Sequence, residues 1–111
     1  MDIENIPSPQ ALNRLLSKCN ETTHPPNRLT LALRNSACNL CIIDKRNGDL
    51  VGFVRATSDK GLNANLWNLV AEPGIYQGEL FAVLVHHVLC ILRRDMPGCS
   101  VSVSAPEMAI K

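Results

Sequence analysis

One apolar helical stripe between two β-compatible segments limits the folds open to this chain. From Gly78 or Glu79 to Arg94, apolar residues recur at helical spacing, namely Phe81, Leu84, Val85, Val88 and Leu92. The segments on either side, 62–71 and 99–104, have the composition and alternation of strands. Because a strand, a helix and a strand in succession normally join two parallel neighbours, the sequence predicts a βαβ crossover with a helix packed on the sheet.

The first half of the chain predicts two helices followed by a hairpin. Ser8 as N-cap and Pro9 in the first turn begin a helix over about residues 9–20. A second, short helix follows the His24-Pro25-Pro26 stop. Asn47-Gly48 lies between the β-compatible runs 38–43 and 50–54 and is a hairpin signal. We therefore predict an α/β (α+β) fold with a mixed sheet, formed as one domain by residues 1–111.

Composition and charge exclude several partner classes. The formal net charge is +1, which lacks the basic excess of a protein that binds nucleic acid. The longest nearly apolar run, 80–92, is too short to span a bilayer and contains two histidines. The amino-terminal residues lack the features of a secretory signal or transit peptide, so we expect an intracellular protein. Five cysteines in such a chain are expected to be free thiols.

Candidate metal ligands do not form a set. Cys38-x-x-Cys41 falls within a predicted strand, where residues three apart point to opposite faces. His86 and Cys90 share a helical face, but two ligands do not complete a tetrahedral site. We predict no bound metal. Phe53 and Trp67 are interpreted as core residues, because each lies in an apolar strand.

A helix-start signal stands close to the last residue. Ser104-Ala105-Pro106-Glu107 has the pattern of a capping box with proline in the first turn, whereas Lys111 is the last residue. We therefore expect a truncated version of a longer architecture, with part of its sheet uncovered. Exposed apolar surface and an unpaired strand edge would favour self-association.

Three short stretches carry a resemblance to a known family. These are Leu50 to Asp59 (LVGFVRATSD), then Leu66-Trp67-Asn68 with Glu72-Pro73, and then Tyr76-Gln77-Gly78. With the order of elements, they resemble the GNAT acyl-CoA N-acetyltransferases. The similar members are the plant and cyanobacterial plastid-type subgroup, which includes serotonin N-acetyltransferases and plastid protein acetyltransferases. The resemblance implies an acetyl-CoA cosubstrate and an amine acceptor, either a protein lysine, a protein N-terminus or an arylalkylamine.

The resemblance also implies where acetyl-CoA binds. Backbone groups of Leu69, Val70 and Ala71 would pair with the pantetheine arm at the edge of the family's fourth strand. Amides of the loop that opens the long helix would bind the pyrophosphate, and this loop corresponds to Gln77, Gly78, Glu79, Leu80, Phe81 and Ala82. Leu80 stands where the family has glycine, and Glu79 adds a negative charge. We expect the Leu80 side chain to face the phosphates and both residues to weaken binding.

For catalysis, the resemblance leaves one carboxylate at the matching positions. Asn68 and Glu72 stand where the subgroup has aspartates, so Glu72 is the candidate base. The tyrosine that serves as the acid in many members would lie beyond Lys111. Two functions therefore remain open: an N-acetyltransferase, and a catalytically inactive GNAT-like domain that acts by binding a partner. The subgroup implies a chloroplast location, whereas the lack of a transit peptide would fit the cytoplasm.

Overall fold

A five-stranded mixed sheet with helices on both faces forms the fold. The computed structural model describes residues 2–4, 6–59 and 61–103. The elements in chain order are β1 (Asp2–Glu4), α1 (Pro9–Lys18), α2 (Pro26–Asn35), β2 (Cys38–Asp44), β3 (Asp49–Ser58), β4 (Asn63–Ala71), α3 (Gln77–Asp95) and β5 (Ser100–Val103). The strands lie in the order β1-β2-β3-β4-β5, antiparallel except for the parallel β4–β5 pair. The predicted fold class and βαβ crossover are confirmed, and the 104–107 capping box lies outside the described residues.

Local signals in the sequence form the turns and caps that they predict. The Ser8 hydroxyl accepts a hydrogen bond from the Ala11 amide at 3.2 Å and caps α1. Gly48 adopts φ +75° in the β2–β3 hairpin, a conformation that glycine allows without strain. In the next turn the Asp59 carboxylate accepts from the Gly61, Leu62 and Asn63 amides, and these bonds lower the pKa of Asp59.

The sheet separates two buried clusters, one on each face. On the α3 face, Leu80, Leu84, Val88 and Leu92 pack on apolar side chains of β2, β3 and β4. On the other face, residues of α1 and α2 pack on Cys41, Leu50, Phe53 and Val70. Cys38 packs with the first cluster and Cys41 with the second, as predicted for residues on opposite faces. None of the five cysteines forms a disulfide bond.

A β-bulge interrupts the pairing of β3 with β4. Phe53 pairs with Val70 and Arg55 with Trp67, so Asn68 and Leu69 lie opposite the single residue Val54. Asn68 adopts φ +54°, which is uncommon for a residue other than glycine. The extra residue shifts the alternation of side chains, so Leu69 packs with the α3 cluster and Val70 with the opposite one. The bulge therefore sets which groups β4 presents beyond this point.

Within the described part of the chain, no helix is long and apolar enough to cross a bilayer.

Candidate functional site

The second half of β4 has a strand on one side only. β5 pairs with residues 63–66, and within the described ranges residues 67–71 pair with β3 alone. The Glu72 amide donates to the Val51 carbonyl at 2.8 Å, so its backbone faces β3. Because successive residues of a strand direct their backbone groups to alternate sides, Val70 also faces β3, whereas Leu69 and Ala71 face away from it. Their polar groups form an open edge.

This open edge holds two of the three backbone positions predicted from sequence. Leu69 and Ala71 lie on this edge. The backbone amide and carbonyl of Val70 point towards β3, so the expectation that Val70 supplies part of the edge is wrong. The Ala71 carbonyl already accepts from the Cys19 thiol and from the Gln77 side-chain amide, each at 3.1 Å. Among the described residues, the amide and carbonyl of Leu69 and the amide of Ala71 remain without a strand partner on this edge.

Directly after β4, the start of α3 offers a second set of amides. The helix predicted to begin at Gly78 or Glu79 begins at Gln77, so the residues that the resemblance assigned to a pyrophosphate loop, 77–82, lie in the first turns of α3. The Gln77 amide donates to Gly74 and the Leu80 amide to Tyr76, which leaves Gly78 and Glu79 as free donors among the described residues of the first turn. Nothing lies within 4 Å of the position that a Cβ of Gly78 would occupy. Open space therefore adjoins Gly78 at this position.

The Leu80 side chain does not face the proposed phosphate position. It is only 7% exposed and packs in the α3 cluster, so the expectation that it obstructs an anion there is wrong. Its place follows from the four-residue spacing of Leu80, Leu84, Val88 and Leu92, so the buried stripe begins one residue before Phe81, the first residue of the predicted stripe. Phe81 and Ala82 follow it within the helix. Glu79, in contrast, lies exposed in the first turn.

Glu72, the predicted base, lies at the end of β4. Its Oε1 accepts from Lys18 Nζ of α1 at 2.9 Å, and its side chain is 38% exposed. No other side chain within the described ranges bonds to this carboxylate. Beside it, burial raises the pKa of the Cys19 thiol, which favours the neutral form that donates to Ala71. The end of α1 is thus joined to the end of the open edge.

A polar group that sequence reasoning missed lies on the α1/α2 side of the bulge. Arg55 donates through Nε to Asn68 Oδ1 at 2.7 Å and through Nη1 to Ser36 Oγ at 3.4 Å. Its guanidinium carbon is 5.7 Å from the centroid of the Trp67 ring. Trp67 is 37% exposed and donates to Thr57 Oγ1, so the interpretation of Trp67 as core is wrong, whereas Phe53 is fully buried. In the sequence, this polar group is indicated by Arg55, a charged residue within the apolar run 50–56.

Metal ligands are not gathered anywhere in the described part of the chain. No group of three or more His, Cys, Asp or Glu side chains is placed to hold an ion there. His86 Nε2 and Cys90 Sγ are 3.8 Å apart on the exposed face of α3, where they form a pair without a third ligand.

Two curated proteins are similar to this chain in sequence. The N-acetyltransferase ycf52 of Pyropia yezoensis, itself uncharacterized, is 35% identical over 85 residues, which are 75% of this chain and 49% of that protein. The histone acetyltransferase TAP1 of Glycine max is 34% identical over 96 residues, covering 77% of this chain and 41% of that protein. The chain therefore spans about half the length of the curated relatives it matches or less. No family model matches the chain.

Two solved structures share its fold. Protein SA2161 of methicillin-resistant Staphylococcus aureus, of unknown function but described as acetyltransferase-like, superposes with a TM-score of 0.83 at 18% identity, covering 97% of this chain and 81% of that one. An aminoglycoside 6'-N-acetyltransferase solved with coenzyme A gives a TM-score of 0.69 at 16% identity, covering 86% and 57%. At these identities the likeness establishes a common architecture.

Proposed function

Because the chain belongs to the GNAT acyl-CoA N-acetyltransferase superfamily, we propose that it binds acetyl-CoA and transfers the acetyl group to a primary amine. The observation that carries this proposal is the half-paired β4, whose open edge leads directly into the free amides of α3. A backbone edge and a helix amino terminus complement the two parts of coenzyme A, an amide-containing arm and a pyrophosphate.

The chain's own groups suit this ligand. The amide and carbonyl of Leu69 and the amide of Ala71 are placed to bond the pantetheine arm as an added strand would. The Gly78 and Glu79 amides, at the positive end of the α3 dipole, are placed to bind the pyrophosphate, and the absence of a side chain at Gly78 leaves its backbone accessible. Acetyl-CoA supplies the activated acetyl thioester. Every other task, including proton removal from the amine, belongs to the protein.

We propose Glu72 as the group that accepts the proton of the acceptor amine. It follows Ala71, so its carboxylate lies at the end of the edge that would hold the cosubstrate. Lys18 engages one carboxylate oxygen and leaves the other for a proton. As acceptor we propose a protein lysine, because the soybean relative is named a histone acetyltransferase. A protein N-terminus or an arylalkylamine would use the same chemistry. The chloroplast location and the self-association remain predictions.

Acetyl-CoA binding is the experiment that tests this function. A ligand that binds only the folded state stabilises it by about 2.7 kcal/mol at a concentration 100 times its Kd. For a domain of this size we expect the melting temperature to rise by about 10 °C or more under that condition. Differential scanning fluorimetry and titration calorimetry measure the two quantities. An unchanged melting temperature together with no saturable heat would contradict the proposal, whereas binding without acetyl transfer would favour the inactive, partner-binding alternative.

The charge of Glu79 gives a second prediction. Glu79 is exposed in the first turn of α3, beside the amides proposed to bind the pyrophosphate. Because a negative charge there competes with the phosphates, Glu79→Gln should tighten acetyl-CoA binding about two- to fivefold. Asp95→Asn removes one negative charge at the opposite end of the same helix and should leave the affinity unchanged. Equal effects of the two substitutions would indicate that net charge alone, and no phosphate contact at α3, controls binding.

A further inference from the structure

The positive charge of Arg55 has no negative partner in the described structure. The partners of Arg55 are an amide oxygen, a hydroxyl and an aromatic ring, and no described carboxylate forms an ion pair with it. Burial lowers the pKa of Arg55, yet a guanidinium still carries its charge at neutral pH. Partial burial of a charge without a counter-ion costs free energy. A site of this kind therefore suits an anionic ligand.

The position of Arg55 on the sheet indicates which ligand would carry the anionic group. Arg55, Thr57, Asn65 and Trp67 lie on the sheet face opposite α3, and Arg55 is the charged member of this group. The phosphates of the cosubstrate would bind at α3, on the other face. Arg55 nevertheless donates a hydrogen bond to Asn68. Asn68 directly precedes Leu69, whose backbone lies on the open edge. An anion at Arg55 would therefore lie close to the edge, on the side that α3 does not occupy.

We propose that Arg55 binds a carboxylate of the acceptor, so that the chain prefers a lysine with an acidic residue beside it in a peptide. This inference rests on the proposed function and specifies its acceptor. The guanidinium is held by Asn68 and Ser36 in a fixed orientation, and its Nη2 has no described partner. A carboxylate that reaches Nη2 forms a charge-assisted hydrogen bond in a partly desolvated place. Trp67 flanks the same position with an exposed aromatic surface.

A purely structural role for Arg55 makes a different prediction. Ser36 donates to the Ala32 carbonyl at 2.7 Å, so Arg55 extends a bond network at the end of α2. If Arg55 served only that network, its removal would change stability without changing the preference between peptides. Selectivity for an acidic neighbour is the readout that separates the two roles.

The sole tryptophan of the chain provides the measurement. Trp67 is in contact with Arg55, so its fluorescence should report binding of peptides that lack tryptophan. Two short peptides are compared, identical except that glutamate or glutamine flanks the lysine, each with and without saturating coenzyme A. We expect the glutamate peptide to bind about tenfold more tightly, and acetyl transfer to show the same ratio in kcat/KM. Arg55→Gln should abolish the difference, whereas Arg46→Gln, which removes an exposed positive charge from the hairpin, should preserve it.

Equal affinity of the two peptides for the unaltered protein would overturn the proposal, and this comparison requires no variant to fold. A preference that persists in Arg55→Gln would also overturn it. Circular dichroism of that variant establishes that its secondary structure is retained. If acetyl-CoA fails to bind in the thermal-shift experiment, the proposed function fails. The peptide comparison without coenzyme A then still decides whether Arg55 binds a carboxylate.

Discussion

Replacing Glu72 with glutamine is expected to lower kcat for acetyl transfer about a hundredfold or more, because a positioned general base contributes about that factor. Glutamine keeps the shape of the side chain but cannot accept the proton. Since the groups proposed to bind acetyl-CoA are backbone groups of β4 and α3, the affinity for acetyl-CoA should remain unchanged. Steady-state rates with a lysine peptide and calorimetric titration with acetyl-CoA measure the two effects separately.

The matched control for this substitution is Lys18→Ala. It removes the ion pair with Glu72 but leaves the carboxylate in place. Because exposed ion pairs contribute little, we expect only a small change in stability and in kcat. A kcat of Glu72→Gln close to that of the unaltered protein would exclude Glu72 as the base. Equal losses in both variants would assign the effect to the ion pair.

Replacing Leu80 with alanine is expected to lower the free energy of unfolding by about 2–5 kcal/mol, as for other buried leucines. Leu80 is buried at the start of α3, where it packs with the cluster that joins α3 to the sheet. Glycine at this position should cost about 1 kcal/mol more, from its greater backbone entropy in the unfolded chain. Chemical denaturation of the variants measures both values.

Val83→Ala provides the comparison for Leu80→Ala on the same helix. Val83 is exposed, so its truncation should change stability by no more than about 0.5 kcal/mol. If the two alanine variants were equally stable, Leu80 would not be a core residue. A large gain in acetyl-CoA affinity in Leu80→Ala would restore the view that its side chain obstructs the phosphates.

Local chemistry explains which parts of the fold could be predicted from the sequence. The Ser8 cap and the Asn47-Gly48 hairpin depend on residues within a few positions of one another, and both form as predicted. The β1 strand could not be predicted, because its three residues gain their structure from pairing with β2, which is distant in the chain. Hydrophobic periodicity within a segment does not contain that information.

The errors at the candidate site have several physical sources. Alternation along a strand already prevents three successive residues such as 69–71 from all facing one edge, and the bulge at Asn68 sets which of them face away from β3. The direction of the Val70 backbone and the exposure of Trp67 depend on cross-strand register and on the helices above the sheet. In contrast, the four-residue spacing between Leu80 and Leu84 by itself predicts that Leu80 is buried. The comparison with a family that has glycine at this position led to the opposite expectation.

The central position of β3 has a consequence for motion. This strand contributes Val54 and Ala56 to one buried cluster and Phe53 and Leu50 to the other, and it has a bonded neighbour on each side. Both layers must separate before its amides reach solvent, so local opening should be rarest there and exchange with deuterium slowest. β4 lies next to β3, but within the described ranges its residues 67–71 have a paired strand on one side only. A ligand that pairs with this edge of β4 could therefore bind and dissociate without any opening of β3.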